Sequence, residues 1–77
     1  MLRRNAAIAL GNALDRAAVP ALAAALAQDP HPMVRGAAAW ALGRLGSQPA
    51  RDALAACLER ESEPQVRDEA AAALREA

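Results

Sequence analysis

The chain of 77 residues has no Phe, Tyr, Lys or Thr, and Trp40 is its one aromatic residue. Side chains that favour strands are therefore scarce, which excludes a sheet-based fold. A single cysteine, Cys57, rules out an intrachain disulfide, and with one histidine, His31, no Cys/His metal cluster can be assembled. Hydroxyl side chains are limited to Ser47 and Ser62, both at expected turns or caps. No paired carboxylates sit in an apolar setting with a base nearby, so catalysis has no foothold and the chain reads as a non-enzyme. No apolar run reaches 18 residues, and no charged-then-apolar leader opens the chain. These absences predict a soluble, cytoplasmic protein with no membrane partner.

What is present is alanine and leucine in abundance, which favours close-packed helices and predicts an all-α fold. The net charge is zero, which argues against a uniformly basic surface, but its distribution is uneven. Residues 1–46 carry five arginines against two aspartates, a net +3, whereas residues 47–77 carry four arginines against seven acids, a net −3.

Sliding the sequence along itself by 32 residues aligns Arg3, Arg35 and Arg67, and likewise Leu10, Leu42 and Leu74. The same shift pairs Leu22 with Leu54, Leu26 with Leu58, Pro32 with Pro64 and Val34 with Val66. Matching prolines, arginines and leucines together is not what an alanine-rich chain gives by chance. Each period holds two helical patterns, so each unit is a helical hairpin. Asp15 is placed to cap the helix over Ala17–Ala27, Pro30 and Pro32 end it, and Gly43 and Gly46 loosen and end the next. Ser62 with Gln65 three residues on resembles a capping box. Five helices are predicted, near 2–13, 17–28, 32–45, 50–61 and 64–76, with Pro20 clouding the start of the second. Hairpins of this kind stack, and the expectation is a right-handed α-solenoid of about two and a half units. Its divisions are a half repeat over 1–14, a repeat over 15–46 and a repeat over 47–77.

The run A-V-P-A-L-A-A-A-L-A-Q-D-P-H-P-M-V-R-G-A-A-A-W-A-L-G-R-L-G, residues 18–46, resembles a HEAT-like repeat of the short type seen in bilin lyases. Preceded by R-R-N-A-A-I-A-L-G-N, residues 3–12, it is similar to the C-terminal helical-repeat region of the epoxyqueuosine reductases. These cobalamin and iron–sulfur oxidoreductases complete queuosine in the tRNA anticodon loop. The resemblance implies a module that recognises the tRNA anticodon stem-loop, with cobalamin and iron–sulfur clusters confined to upstream domains and no cofactor or metal in this chain. It weakens after Gly46, where the third unit turns acidic. The first half repeat aligns with the second helix of a hairpin, so the chain is expected to be a fragment of a larger protein. An apolar flank including Leu2, Ile8 or Leu10 would then be open, with weak self-association through that end.

Arg3, Arg35 and Arg67 recur at one repeat position, six residues after Asp29 and Glu61 in the two complete units, a spacing that suits a structural ladder of pairs with those acids or with nearby carbonyls. A second column, read at i, i+4 and i+8, gives Arg4, Ile8 and Asn12, then Gly36, Trp40 and Arg44, then Asp68, Ala72 and Glu76. This stripe runs from basic to acidic and is expected to face outward. Arg3, Arg4, Asn5, Asn12 and Arg44 are the candidate nucleic-acid contacts, because guanidinium groups and a helix N-terminus both attract phosphate. Trp40 is placed either to stack on a base or on Arg44, or to pack between repeats. His31 reads as an exposed turn residue and Cys57 as a small core residue. The alternative function is a protein-interaction scaffold holding a peptide or partner domain in its concave face.

Overall fold

The computed structural model describes residues 2–76, and among them there is no strand. The order is α1 (Arg4–Ala13), a 3-10 turn (Arg16–Ala18), α2 (Val19–Gln28), α3 (Pro32–Leu45), α4 (Gln48–Arg60) and α5 (Pro64–Glu76). Helices α1, α3 and α5 lie side by side in one layer and α2 and α4 form a second. The smallest extent of the molecule, 16 Å, matches two helices stacked at ordinary packing distance. The central helix α3 touches all four others.

Four helix starts show local chemistry at work. Arg3 is extended and offers no side-chain cap, so α1 begins at Arg4, later than its apolar pattern suggests. Asp15 Oδ1 accepts from the Ala17 N–H at 2.9 Å and so caps the 3-10 turn. Pro20, which has no N–H to give, sits in the first turn of α2, and the α-helix proper starts at Val19. Helix α4 starts two residues earlier than expected because Ser47 Oγ accepts from Ala50 N–H and Pro49 is tolerated in the first turn. The Ser62–Gln65 spacing does not form a capping box. The carbonyl of Glu63 opens α5, and the Glu61 carboxylate takes the free Glu63 N–H at 3.1 Å.

Helix ends α1 and α3 use the same repeat position in the left-handed conformation, Leu14 with φ 54° and Gly46 with φ 65°. Gly46 closes α3 by donating its N–H to Leu42 O at 3.1 Å, and glycine bears that conformation without a Cβ penalty. Leu14 adopts it with a β-carbon, and its side chain is exposed.

The layers are joined by Leu22, Leu26, Leu42, Leu54 and Val66, all essentially inaccessible to water. Alanine at 7, 38, 41 and 70 fills the contacts within the first layer with no exposed surface. Glycine allows the tightest of these approaches. A methyl group at Gly43 would meet Ala73 Cβ at 2.6 Å and Ala73 Cα at 2.9 Å. At Gly11 it would meet Trp40 Cζ3 at 2.7 Å and Ala41 Cα at 3.0 Å. Gly43 therefore does not loosen α3, as its position near the helix end suggests; it lets α5 pack against it. Position 75 completes the series with Arg75, which is exposed.

Candidate functional site

The three arginines of the repeat column have separated roles. Arg35 forms a two-pronged bond to Glu61, Nε to Oε1 at 2.8 Å and Nη2 to Oε2 at 3.0 Å, and its Nη1 donates to Asp29 O at 2.8 Å. It thereby ties α3 to the C-terminus of α2 in its own unit and to the C-terminus of α4 in the next. Both side chains are largely withdrawn from water, at 15% and 7% exposure. The hydrogen bond from Arg35 holds the Glu61 carboxyl below its ordinary range, more than burial raises it, and the same bond raises the Arg35 pKa. Arg67 Nη1 donates to Leu58 O at 2.8 Å and Glu61 O at 2.9 Å, closing the end of α4. A cation there also opposes the helix dipole favourably. The structural ladder read from the sequence holds for these two. Arg3 is exposed at the start of α1; its carbonyl accepts from Ala7 N–H at 3.0 Å, but its guanidinium makes no hydrogen bond or ion pair among the described residues.

A groove of about 380 Å³ crosses the first layer above α3. Gly36, Met33 and Trp40 of α3 form its floor, Arg4 and Ile8 of α1 one wall, and Gln65 and Glu69 of α5 the other. Four members of the outward stripe, Arg4, Ile8, Gly36 and Trp40, are thus brought together. The third unit departs from the expected stripe. The wall is built by Gln65 and Glu69 instead of Asp68, Ala72 and Glu76: α5, like α1, packs on α3, but it borders the groove with a different column of its residues. The i, i+4 spacing of Gln65 and Glu69 was visible in the sequence, but only the neighbour's position selects which polar column faces the groove.

Arg44 lies with its guanidinium carbon 5.8 Å from the Trp40 ring centroid, within range of a cation–π contact. Trp40 is half-buried, and its Cζ3 edge abuts α1 at Gly11. One edge of Trp40 thus packs between units, its ring lies near the Arg44 guanidinium, and it lines part of the groove. Asn5 and Asn12 are exposed on α1 outside the groove lining.

His31 is an exposed turn residue whose N–H donates to Asp29 Oδ1 at 2.9 Å, the counterpart of the Glu63–Glu61 bond. Cys57 is fully buried, and burial pushes its thiol pKa up, which leaves it unreactive. Among the described residues no group of three or more His, Cys, Asp or Glu is placed to hold a metal. A second groove, of about 450 Å³, is lined by Leu2 and by Ala21, Ala24, Ala25 and Asp29 along α2 and its C-terminal end. No helix of the described residues is long and apolar enough to cross a membrane.

This arrangement, two layers of helical hairpins with a repeated arginine ladder, coincides with a match to the family model of HEAT repeats over residues 1–75. The chain belongs to the HEAT-repeat family. No curated protein matches this HEAT-repeat chain in sequence. Among solved structures it is similar to a selenomethionine-labelled epoxyqueuosine reductase, with a TM-score of 0.89. It is also similar to epoxyqueuosine reductase from Bacillus subtilis, with a TM-score of 0.88. Identity is 34% in both, and each alignment covers 95% of this chain and 20% of the reductase chain. The HEAT-repeat chain thus spans about a fifth of the length of the reductases it resembles.

Proposed function

We propose that this HEAT-repeat chain is a non-catalytic RNA-recognition module, the part of an epoxyqueuosine reductase-type enzyme that grips the tRNA anticodon stem-loop. The observation that carries this reading is the division of labour among the arginines. The guanidinium groups of Arg35 and Arg67 are engaged in structural bonds, whereas those of Arg3 and Arg4 at the N-terminal end of α1 make none among the described residues. Guanidinium groups left unneutralised on one edge are suited to phosphate, and the nearby start of α1 adds free N–H groups of the same polarity. Arg44, exposed beside Trp40 in the last turn of α3, adds a further cation. The likeness to epoxyqueuosine reductase supports the choice of RNA over other polyanions. In such an enzyme cobalamin and iron–sulfur chemistry belongs to other domains, and the compartment is the cytoplasm.

Electrophoretic or anisotropy titration of the full chain with an anticodon stem-loop tests the reading. Binding at low salt that falls several-fold in Arg4→Ala/Arg44→Ala is the expected outcome. Equal binding by the variant and the parent removes RNA recognition from this edge and favours a protein-interaction scaffold.

A further inference from the structure

Of the three glycines inside helices, two are required by close packing and one is not. Gly11 and Gly43 stand where a methyl group would strike the neighbouring helix, but at Gly36 nothing lies within 4 Å of the place a Cβ would occupy. Glycine in mid-helix is destabilising relative to alanine, and Arg4 and Asp68 hold the same place in the other units. What Gly36 provides is bare backbone on the floor of the groove, between the Arg4 wall and the Glu69 wall.

Resting on the RNA-recognition reading above, the geometry points to this groove as the seat of one unstacked guanine of single-stranded RNA. A volume of about 380 Å³ admits a nucleotide but not a duplex. The floor offers a thioether and an indole to a flat apolar surface, through Met33 and Trp40. The walls differ in charge, which separates ligand classes. A cationic peptide side chain suits Glu69 and is repelled by Arg4; an anionic one is repelled by Glu69. A nucleotide carries its phosphate at one end and its base edge at the other, and satisfies both. Guanine fits the acidic wall best. Its N1–H and N2–H₂ donors match the acceptor-only carboxylate of Glu69, and O6 accepts from the Gln65 amide. Adenine places a bare ring nitrogen beside its single amino group, and uracil flanks its one N–H with two carbonyls.

Because Trp40 is the sole aromatic residue and lines the groove, its fluorescence reports on this groove and its immediate surroundings. Titrating the full chain with UUGUU, UUAUU and UUUUU at low salt should give saturable quenching by UUGUU and affinity about tenfold above UUUUU. Gly36→Leu, which fills the floor, should abolish both the quenching and the preference while leaving the weak, salt-sensitive binding of UUUUU in place, with helical circular dichroism unchanged. Glu69→Gln, a substitution at the groove wall, should lower the preference for UUGUU over UUAUU. Binding of RNA with quenching and preference unaltered in both variants overturns the base site but leaves the RNA module standing. Absence of RNA binding at low salt overturns both. Quenching by an arginine-containing peptide and not by RNA overturns the base site in favour of a peptide groove.

Discussion

The junction between α1 and the second unit and the junction between α3 and the third are built on the same repeat positions, yet they are finished differently. At the second junction Arg35 spans to Glu61, Gly46 closes α3 without strain, and Gly43 lets Ala73 approach to contact. At the first, the Arg3 guanidinium has no bonded partner among the described residues, Leu14 occupies the left-handed position with a side chain, and Gly11 faces a movable indole as well as backbone. The alanine column records the same asymmetry: Ala38 and Ala70 are fully buried, while Ala6 is exposed. One junction is optimised for packing and the other leaves its cations and part of its surface open. A repeat position therefore fixes where a side chain stands, and its neighbours decide whether that side chain holds the fold or faces a ligand.

The largest effect expected from this contrast lies in the glycines. Gly43→Ala pushes a methyl group into Ala73, including its backbone, and should lower stability by about 2 kcal/mol even after the gain in helix propensity. Thermal unfolding should register this as a drop of roughly 10 °C in Tm. Gly11→Ala meets the Trp40 ring edge, which can turn aside, and should lose about 1 kcal/mol or less. Equal losses at the two positions would break the comparison.

Next comes the Arg35–Glu61 pair. Glu61→Gln should cost about 1–2 kcal/mol at pH 7, less than a fully buried pair because its edge meets water. Since the folded Glu61 carboxyl titrates below its ordinary value, its stabilising contribution is complete above about pH 4.3 and is lost as the pH falls through the depressed folded value. Denaturant titrations at pH 7 and in acid should show a larger acid loss in the parent than in Glu61→Gln. A smaller change, in the stabilising direction, is expected for Leu14→Gly. Relief of the left-handed leucine should outweigh the added chain entropy by up to about 1 kcal/mol, raising Tm by a few degrees. The smallest effect belongs to Arg3→Ala, which should change stability by less than about 0.5 kcal/mol, in contrast to its counterpart Arg35.

Much of this molecule is legible in the sequence because its information is periodic. The 32-residue shift places Arg35 and Arg67 in one column, and both bond to the helix ends that the column's spacing suggests. Helices α3 and α5 fall on the predicted spans, since Pro32, Gly46 and Pro64 act on the local backbone. The starts of α1, α2 and α4 were less legible, because each depends on whether one particular side chain caps: Arg3 does not, Asp15 caps a 3-10 turn, and Ser47 does. The groove was half legible. Arg4, Ile8, Gly36 and Trp40 share a helical stripe, but Gln65 and Glu69 enter only through the placement of α5 beside α3. The role of Gly43 was hidden for the same reason, as close approach belongs to the partner helix and leaves no mark on the glycine itself.

The central claim is that Arg3 and Arg4, whose guanidinium groups make no structural bond among the described residues, meet phosphate, and salt dependence measures it most directly. The slope of log affinity against log salt for an anticodon stem-loop should fall in magnitude by about 0.7–0.9 for each phosphate contact removed. Arg3→Ala/Arg4→Ala should therefore reduce it by roughly 1.4–1.8 with the fold intact, while Glu76→Ala on the acidic half leaves the slope unchanged. Parallel lines for the parent and Arg3→Ala/Arg4→Ala would contradict the account.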